Sequence, residues 1–236
     1  MRTRLELNIL PQPDDYTCGP TCLQAVYRYY GDHLDLSQVI AEVPFLESGG
    51  TLAVLLACHA LARGFKAHIY TYNLQVFDPT WFHPDVDMRE KLASQLKVKH
   101  NPKLYVDSTA YIEFLDLGGK LYFEDLTPSL IRRYLRRSIP ILTGLSSTYL
   151  YQAVREYGPD DVEDDIRGEP NGHFVVLCGY DKEERTVTVA DPLASNPLSN
   201  SHLYEIGIDR VINAILLGIL TYDGNLLIIE KNEDEE

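Results

Sequence analysis

"LPQPDDYTCGPTCLQAVYRYYG", residues 10–31, places a cysteine directly before Gly-Pro and a run of regularly spaced apolar side chains. The spacing predicts a helix ended by Gly31, with one buried stripe formed by Cys22, Leu23, Val26, Tyr27 and Tyr30. Pro20 suits the first turn of that helix, because its missing N–H has no partner there anyway. Cys18 is therefore expected at the N-terminus of a helix.

A thiol in that position is a candidate nucleophile. The positive end of the helix dipole stabilises a thiolate, and a neighbouring histidine can accept the proton. The alternative is that Cys18 is only a small apolar residue beside a turn. For Cys22, which faces the predicted core, the structural interpretation is the one we adopt. The choice depends on whether the chain supplies a histidine.

Among the seven histidines, His173 has the most suggestive position, because it opens an apolar strand directly after the turn residues Asn171-Gly172. Asp191 ends the next strand, just before Pro192, where a carboxylate could orient the imidazole ring. Asp181 and Asn196 are alternatives for that role. The sequence thus predicts a Cys-His-Asp constellation.

The hairpin between His173 and Asp191 makes this prediction checkable. An odd number of residues in the turn, for example 182–184, pairs Asp191 with Val175 and places it on the same face as His173. A two-residue turn instead puts the carboxylate on the opposite face, since side chains alternate along a strand. The constellation therefore requires an odd turn or a β-bulge.

Acyl transfer also needs hydrogen-bond donors for the oxyanion that develops on the substrate carbonyl. Gln12, six residues before Cys18, has a side-chain amide that can donate, and the Cys18 backbone N–H at the helix start is a second donor. Gln12 is therefore included among the candidate catalytic residues.

Along the chain, helices come first and strands later, which indicates an α+β protein. Predicted helices include one with Asp35 and Gln38 as a capping box, one with Thr51 as N-cap and Gly64 as C-cap, two around 87–97 and 107–117, and one after Thr127. Predicted strands start near residues 66, 139, 173, 186, 202 and 225. We expect one domain, 1–236, with a mostly helical lobe (1–137), a mostly β lobe (138–230) and an acidic tail (231–236).

The composition argues against two classes of function, nucleic-acid binding and membrane insertion. The formal net charge of −14 disfavours a nucleic-acid partner, because such binding depends on Lys and Arg at phosphates. The one basic cluster, Arg132, Arg133, Arg136 and Arg137, is interpreted as the solvated face of a helix. The longest uncharged apolar run, Val211 to Tyr222, is 12 residues long, short of the ~18 that a membrane span needs. We expect a cytoplasmic protein that is not bound to a membrane.

The four cysteines are too few for a disulfide scaffold in 236 residues. Cys18 and Cys22 have a C-x3-C spacing, but no second paired cluster completes a zinc site, and Cys58-His59 is interpreted as packed in a buried helix. We expect no metal and no cofactor. The acidic segment 160–169, which leads toward His173, is either a solvated loop or a wall of the site.

The motif Q-x5-C-G-P-x-C, the helix ending in Y-Y-G, and the later G-H-F-V-V-L and D-P resemble papain-like cysteine peptidases of the bacteriocin-processing, double-glycine type. The resemblance covers roughly the first 70 and the last 100 residues. It implies a papain-like fold, in which a helical lobe with the cysteine helix packs against an antiparallel sheet lobe with His and Asp. It also implies Gln12 as oxyanion donor, Cys18 as nucleophile, His173 as general base and Asp191 as the residue that orients it.

Well-known members of that family are fused to membrane transporters. This chain is expected to be a standalone peptidase, so cleavage after a double-glycine leader does not follow. Three functions are compatible with the sequence: a cysteine peptidase or amidase acting through a thioester, an acyltransferase with the same triad, and a papain-like binding module without turnover. The expected substrate is a peptide or amide, and the oligomeric state is left open.

Overall fold

The computed structural model describes residues 2–47, 49–158, 160–221 and 223–232. Its helices are α1 (Cys18–Tyr29), α2 (Leu36–Glu42), α3 (Ala53–Ala62), α4 (Met88–Val98), α5 (Pro102–Asp116), α6 (Pro128–Leu135), α7 (Ser147–Tyr151) and α8 (Ile208–Leu217), with 3₁₀ turns at Pro79–Phe82 and Gly218–Thr221. Its strands are β1 (Arg2–Arg4), β2 (Lys66–Thr71), β3 (Lys120–Tyr122), β4 (Ile141–Ser146), β5 (Glu156–Tyr157), β6 (Val162–Glu163), β7 (Gly172–Asp181), β8 (Thr186–Ala190), β9 (Leu203–Gly207) and β10 (Asn225–Glu230). Of the predicted tail, 233–236 lie outside the described residues.

One sheet organises the molecule, in the order β3-β2-β10-β4-β7-β8-β9, with β1 paired to the far end of β7. The β2–β3 pair is parallel and the other pairs of this sheet are antiparallel. Helix α1 packs against β7, and α3 packs against β2 and β10. The predicted α+β class with an antiparallel sheet is confirmed. The sheet draws strands from both halves of the chain, and the division into two lobes stays a prediction.

Two predicted helix caps are wrong. Asp35 is the N-cap residue of α2 but makes no side-chain capping bond, and the Gln38 side chain donates to the Glu42 carboxylate at 2.8 Å and not back to the helix start. Helix α3 begins at Ala53 and not after Thr51, whose hydroxyl donates to the Pro44 carbonyl. The cap of α3 comes from far along the chain, since the Ala53 N–H donates to Asp223 Oδ1 at 3.1 Å. Helix termini are satisfied here by tertiary contacts that no local pattern predicts.

In the segment 77–126 the predicted helices are found, as α4 and α5, with one shifted start. Asn101-Pro102 was expected to separate two helices and instead begins the second one. The Asn101 side chain accepts hydrogen bonds from the backbone N–H groups of Lys103 and Leu104, and Pro102 occupies the first turn. This is the same Pro-at-N1 geometry that begins α6, where Thr127 caps the Leu130 N–H.

A β-bulge in β7 sets the register of the hairpin. Near the turn, Tyr180 pairs with Val187 and Gly179 with Thr188, whereas beyond Cys178 the pairs are Leu177 with Val189 and Val176 with Ala190. Cys178 is therefore the extra residue. Gly179 permits the close approach, since a Cβ there would lie 2.5 Å from Thr188 Oγ1. The four-residue turn 182–185 is even, and the bulge supplies the one-residue shift that the sequence argument required.

Candidate active site

The Cys18 thiol lies at the first residue of α1 and is 8% exposed. The loop before it is held by its own hydrogen bonds: Thr17 Oγ1 donates to the Asp14 carbonyl at 3.2 Å, and Asp14 Oδ1 accepts from the Tyr16 N–H at 2.9 Å. Gly19 brings α1 close to its neighbours, because a Cβ there would lie 2.7 Å from Thr51 Cγ2. The helix start is thereby fixed against the rest of the fold.

The predicted histidine and carboxylate are in contact. His173 Nε2 and Asp191 Oδ1 are 2.9 Å apart, and the side chains are almost fully buried, with the residues 9% and 0% exposed. The register beyond the bulge, extended by one residue, places Asp191 opposite Val175, on the face of His173. Since Nε2 is taken by the carboxylate, Nδ1 is the ring nitrogen left for Cys18, which interacts electrostatically with the imidazole.

These contacts set the charge of the imidazole. Burial lowers the pKa of His173, but the hydrogen bonds to Asp191 and Cys18 and the nearby negative charges outweigh it and raise the pKa to about 10. For Asp191, burial raises the pKa, and the hydrogen bond and charge of His173 outweigh burial and lower it. The buried pair is thus stabilised as imidazolium and carboxylate.

Two tyrosines that sequence reasoning missed hold the other oxygen of this carboxylate. Tyr151 and Tyr204 donate their hydroxyls to Asp191 Oδ2 at 2.7 and 2.8 Å, and the Leu193 N–H donates to Oδ1 at 3.0 Å. With His173, these groups give Asp191 four donors. Tyr151 comes from α7 and Tyr204 from β9, and neither belongs to a motif that could have marked it.

We expect Tyr151→Phe and Tyr204→Phe each to lower kcat by about threefold to tenfold, with a larger loss in the double variant. A lost hydrogen bond to a buried charge costs about 1.5–3 kcal/mol in total. Only a part of that cost changes the interaction between Asp191 and the imidazole. The pH–rate profile distinguishes a positioning role from a purely structural one. If Asp191 is held less firmly, the pKa of His173 should fall, and the part of the profile that reports this pKa should move to lower pH. Tyr149→Phe, on the same short helix, is the matched control, and an equal effect there would contradict the assignment.

Gln12 is half-buried and tied to the segment that follows Asp191, because its backbone N–H donates to the Pro192 carbonyl at 2.9 Å. Its side-chain nitrogen donates to the Asp14 carbonyl at 2.8 Å, which leaves a second N–H of the amide. Its Oε1 is buried without a partner among the described residues. The structure therefore places Gln12 beside the segments that carry Cys18 and Asp191.

The alternatives for the carboxylate lie elsewhere. Asp181 is at the opposite end of β7 and accepts from the Glu183 and Glu184 N–H groups in the turn. Asn196 caps a local loop, accepting from the Leu198 and Ser199 N–H groups. Neither side chain contacts His173 in the hydrogen bonds of the described residues.

All four cysteines are buried, and the thiols of the three other than Cys18 donate to backbone carbonyls. Burial raises the pKa of Cys58 and of Cys178 to about 12, and raises that of Cys22 well above its usual value. The Cys58 thiol donates to the Ala110 carbonyl, and His59 lies between Tyr27 and Glu42, so the predicted packing of Cys58-His59 is what the structure shows.

Within the acidic segment, β6 pairs with β5, which precedes the segment, to form a small hairpin, and Glu169 also forms a bridge with Glu156. The Asn171 side chain donates to the Glu156 carboxylate, and the Arg167 guanidinium lies 4.4 Å from the Tyr157 ring centroid. Partial burial raises the pKa of Glu156, the Asn171 hydrogen bond opposes this, and the charges of Asp161 and Asp15 add to the increase. The hairpin therefore lies near the loop that precedes Cys18.

Within the described ranges, no group of three or more His, Cys, Asp and Glu side chains is arranged to hold a metal ion. In that same part of the chain, every helix is too short or too polar to cross a bilayer.

Comparison with known proteins gives a family. A model described as the Peptidase C39-like family matches residues 4–206. None of the curated proteins matches the chain. Among solved structures, a putative C39-like peptidase from Bacillus anthracis aligns over 99% of this chain and 100% of its own, at 14% identity and a TM-score of 0.51.

Two further structures align over most of the chain. One is a double-glycine-motif protease from an AMS/PCAT transporter solved with its leader peptide, at 15% identity and a TM-score of 0.47 over 98% of this chain and 95% of that one. The other is xylellain, a cysteine protease from Xylella fastidiosa, at 14% identity and a TM-score of 0.45 over 98% and 86%. The family match and the Bacillus anthracis fold confirm the papain-like expectation: the chain belongs to the Peptidase C39-like family and is a cysteine peptidase.

Proposed function

We propose that the protein hydrolyses a peptide or amide bond through a Cys18-His173-Asp191 triad and a thioester intermediate. The supporting observation is a series of three side chains, in which His173 Nε2 lies 2.9 Å from Asp191 Oδ1 and the same imidazole interacts electrostatically with Cys18 at the start of α1. Such a series gives a nucleophile, a proton acceptor and a group that orients the acceptor, which is the minimum that acyl transfer needs.

In the proposed mechanism, the Cys18 sulfur attacks the carbonyl carbon, and its proton resides on His173 Nδ1. As the tetrahedral intermediate collapses, the C–N bond breaks and His173 gives that proton to the leaving amine, which leaves a thioester on Cys18. His173 then takes a proton from water, and the hydroxide attacks the thioester. The C–S bond breaks and the acid is released, which leaves the sulfur anionic and the proton on His173 Nδ1 as at the start. Asp191 keeps the ring oriented and stabilises its positive charge throughout.

The oxyanion would be held by two donors. The Cys18 backbone N–H belongs to the first turn of α1, where amides have no acceptor within the helix. The second N–H of the Gln12 amide is the other donor, positioned by the bond from Gln12 to Pro192. In comparable sites, loss of one donor costs about 10²–10³ in kcat.

Aminolysis of the same thioester is the second candidate. It is favoured by the low exposure of Cys18 and His173, 8% and 9%, because a site that restricts water lets a bound amine compete for the acyl group. A binding module without turnover is not supported by any comparable observation, since the sulfur, imidazole and carboxylate are all present.

Mass spectrometry of peptide digests separates these functions. The wild-type chain is incubated with a synthetic peptide library, with and without hydroxylamine or glycine amide, and the new termini are sequenced. Free carboxyl termini in both conditions indicate hydrolysis, and amine-capped termini in preference to carboxyl termini indicate transfer. Unchanged peptides in both conditions, from a folded protein, would contradict the proposal.

Alkylation gives an independent prediction. We expect iodoacetamide at pH 6 to modify Cys18 at least about tenfold faster than Cys22, Cys58 or Cys178, because only a thiolate reacts and burial raises the pKa of those three thiols. Peptide mapping of the labelled chain measures the selectivity. His173→Gln should remove it, and equal labelling of all four cysteines would count against an activated Cys18.

We also propose that the protein acts in the cytoplasm, where thiols stay reduced. All four cysteines are free in the structure, which supports this placement.

A further inference from the structure

The arginines of α6 line a cavity of about 410 Å³ that the peptidase reaction does not use. Four of the lining residues are cationic, namely Arg132, Arg133, Arg136 and Lys182, and none of the lining residues is acidic. The sequence argument interpreted these arginines as a solvated helix face. Three of the four arginines of that cluster line the concave surface, and two of them, Arg133 and Arg136, are exposed to solvent there. Ser129 and Tyr180 complete the wall.

Only part of this positive charge is neutralised within the protein. Arg133 pairs with the Glu124 carboxylate at 3.1 Å, and Arg132 lies over the Tyr180 ring at 5.4 Å from its centroid. The side chains of Arg136 and Lys182 have no hydrogen-bond or ion-pair partner among the described residues. Converging cations repel one another, so in a chain of net charge −14 this arrangement is favoured by an anion between them.

The cavity is remote from the triad. Tyr180 lies seven residues beyond His173 on β7, which corresponds to about 23 Å at about 3.3 Å per residue. None of the residues that line the cavity is Gln12, Cys18, His173 or Asp191. A ligand bound here is therefore not the scissile bond or its immediate neighbours.

We propose that this cavity binds a small phosphate ester. Its volume falls in the range of small-molecule sites, about 300–1,000 Å³. Planar guanidinium forks match phosphate oxygens in pairs, the Lys182 ammonium adds a point charge, and the Ser129 hydroxyl can donate a further hydrogen bond. A dianionic phosphate also neutralises more of the cluster than a single carboxylate does. The concave shape and the overall negative charge favour a small ligand over a long polyanion.

Calorimetric titration with pyrophosphate, in magnesium-free buffer at constant ionic strength, tests the proposal. We expect saturable one-to-one binding to the wild-type chain that weakens at least about tenfold in Arg132→Gln/Arg136→Gln, since each charge-assisted hydrogen bond is worth roughly that factor or more. Lys182→Gln, alone, should weaken it in the same direction. Arg137→Gln is the matched control, because Arg137 is a neighbour in sequence but pairs with Glu230 and does not line the cavity.

Three results would overturn the proposal: wild-type affinity in the double variant, equal loss in the Arg137→Gln control, or no saturable binding at all. Citrate titrated in parallel should bind more weakly than pyrophosphate, and equal affinity would overturn the assignment to phosphate. A single-stranded oligonucleotide whose affinity grows with its length would overturn the small-ligand assignment. Peptidase turnover should be the same in all four proteins, which shows that each variant is folded.

Discussion

Replacing Cys18 with alanine is expected to lower kcat on any peptide or amide substrate by about 10⁵- to 10⁶-fold, the loss found when a covalent nucleophile is removed. The reason is that the other three thiols are buried and donate to backbone carbonyls, so none of them replaces the nucleophile. The fold should persist, because alanine keeps the helix start and removes only one partly shielded sulfur. Turnover and the thermal midpoint of the purified variant measure the two effects.

Cys22→Ala is the control for this substitution. Cys22 lies one turn further along α1, is fully buried, and donates its thiol to the Phe174 carbonyl at 3.3 Å. We expect that variant to lose stability while retaining turnover, which is the opposite pattern. Full activity in Cys18→Ser would mean that the nucleophile lies elsewhere.

Asp191→Asn is expected to lower kcat by about 10³- to 10⁴-fold, as loss of the orienting carboxylate does in triads of this type. The hydrogen bond from His173 to Asp191 is the largest contribution that raises the pKa of His173, to about 10, against the effect of burial. Without that carboxylate the imidazolium is destabilised, so the basic limb of the pH–rate profile should move to lower pH. Steady-state kinetics between about pH 5 and 10 measure both changes.

The matched control is Asp181→Asn in the same hairpin. Asp181 is a carboxylate at the turn end of β7 whose pKa is lowered by the Glu184 and Glu183 N–H groups and nearby positive charge, so its loss changes the turn and not the imidazole. We expect kcat close to wild type there. An Asp191→Asn variant whose basic limb stays in place would show that Asp191 does not set the charge of His173.

The same pair predicts how stability depends on pH. Because the pKa of His173 is raised from 6.5 to about 10, its contribution to the free energy of unfolding is fully present below about pH 6.5 and is lost as the pH rises through about 10. The lowered pKa of Asp191 acts in the other direction. Its contribution to the free energy of unfolding is present above the usual carboxylate pKa and is lost as the pH falls through the lowered pKa of Asp191 in the folded protein. The difference in unfolding free energy between wild type and Asp191→Asn should therefore shrink at both extremes.

The sequence predicts those parts of the site that depend on local signals, and it misses those that depend on contacts between segments distant along the chain. Cys18, His173 and Asp191 each stand at an end of an element with a strong local signal, so their positions could be inferred before the contact of His173 with Asp191 was seen. Tyr151 and Tyr204 could not, because their role arises only when α7 and β9 meet at the same carboxylate oxygen. Their roles in catalysis, like that of Gln12, stay predictions.

The fold shows the same division between local and distant causes. Thr127-Pro128 predicts the start of α6 correctly, since cap and first turn are adjacent in sequence. The start of α3 is missed by one residue, and the Ala53 N–H at that start donates to Asp223, 170 positions away. The spacing of apolar residues predicts which segments form helices and strands. Contacts between distant segments contribute to where those helices and strands begin.

The extra residue at Cys178 and the length of the turn together decide on which face of the hairpin Asp191 lies. If the number of residues between His173 and Asp191 is unchanged, a relative whose turn is one residue shorter and whose strand is one residue longer would place its carboxylate on the same face without any bulge, because the two changes cancel. At that fixed spacing, a one-residue change in the length of this turn should therefore be accompanied by gain or loss of the bulge, and a hairpin that altered only one of them would direct the carboxylate away from the imidazole.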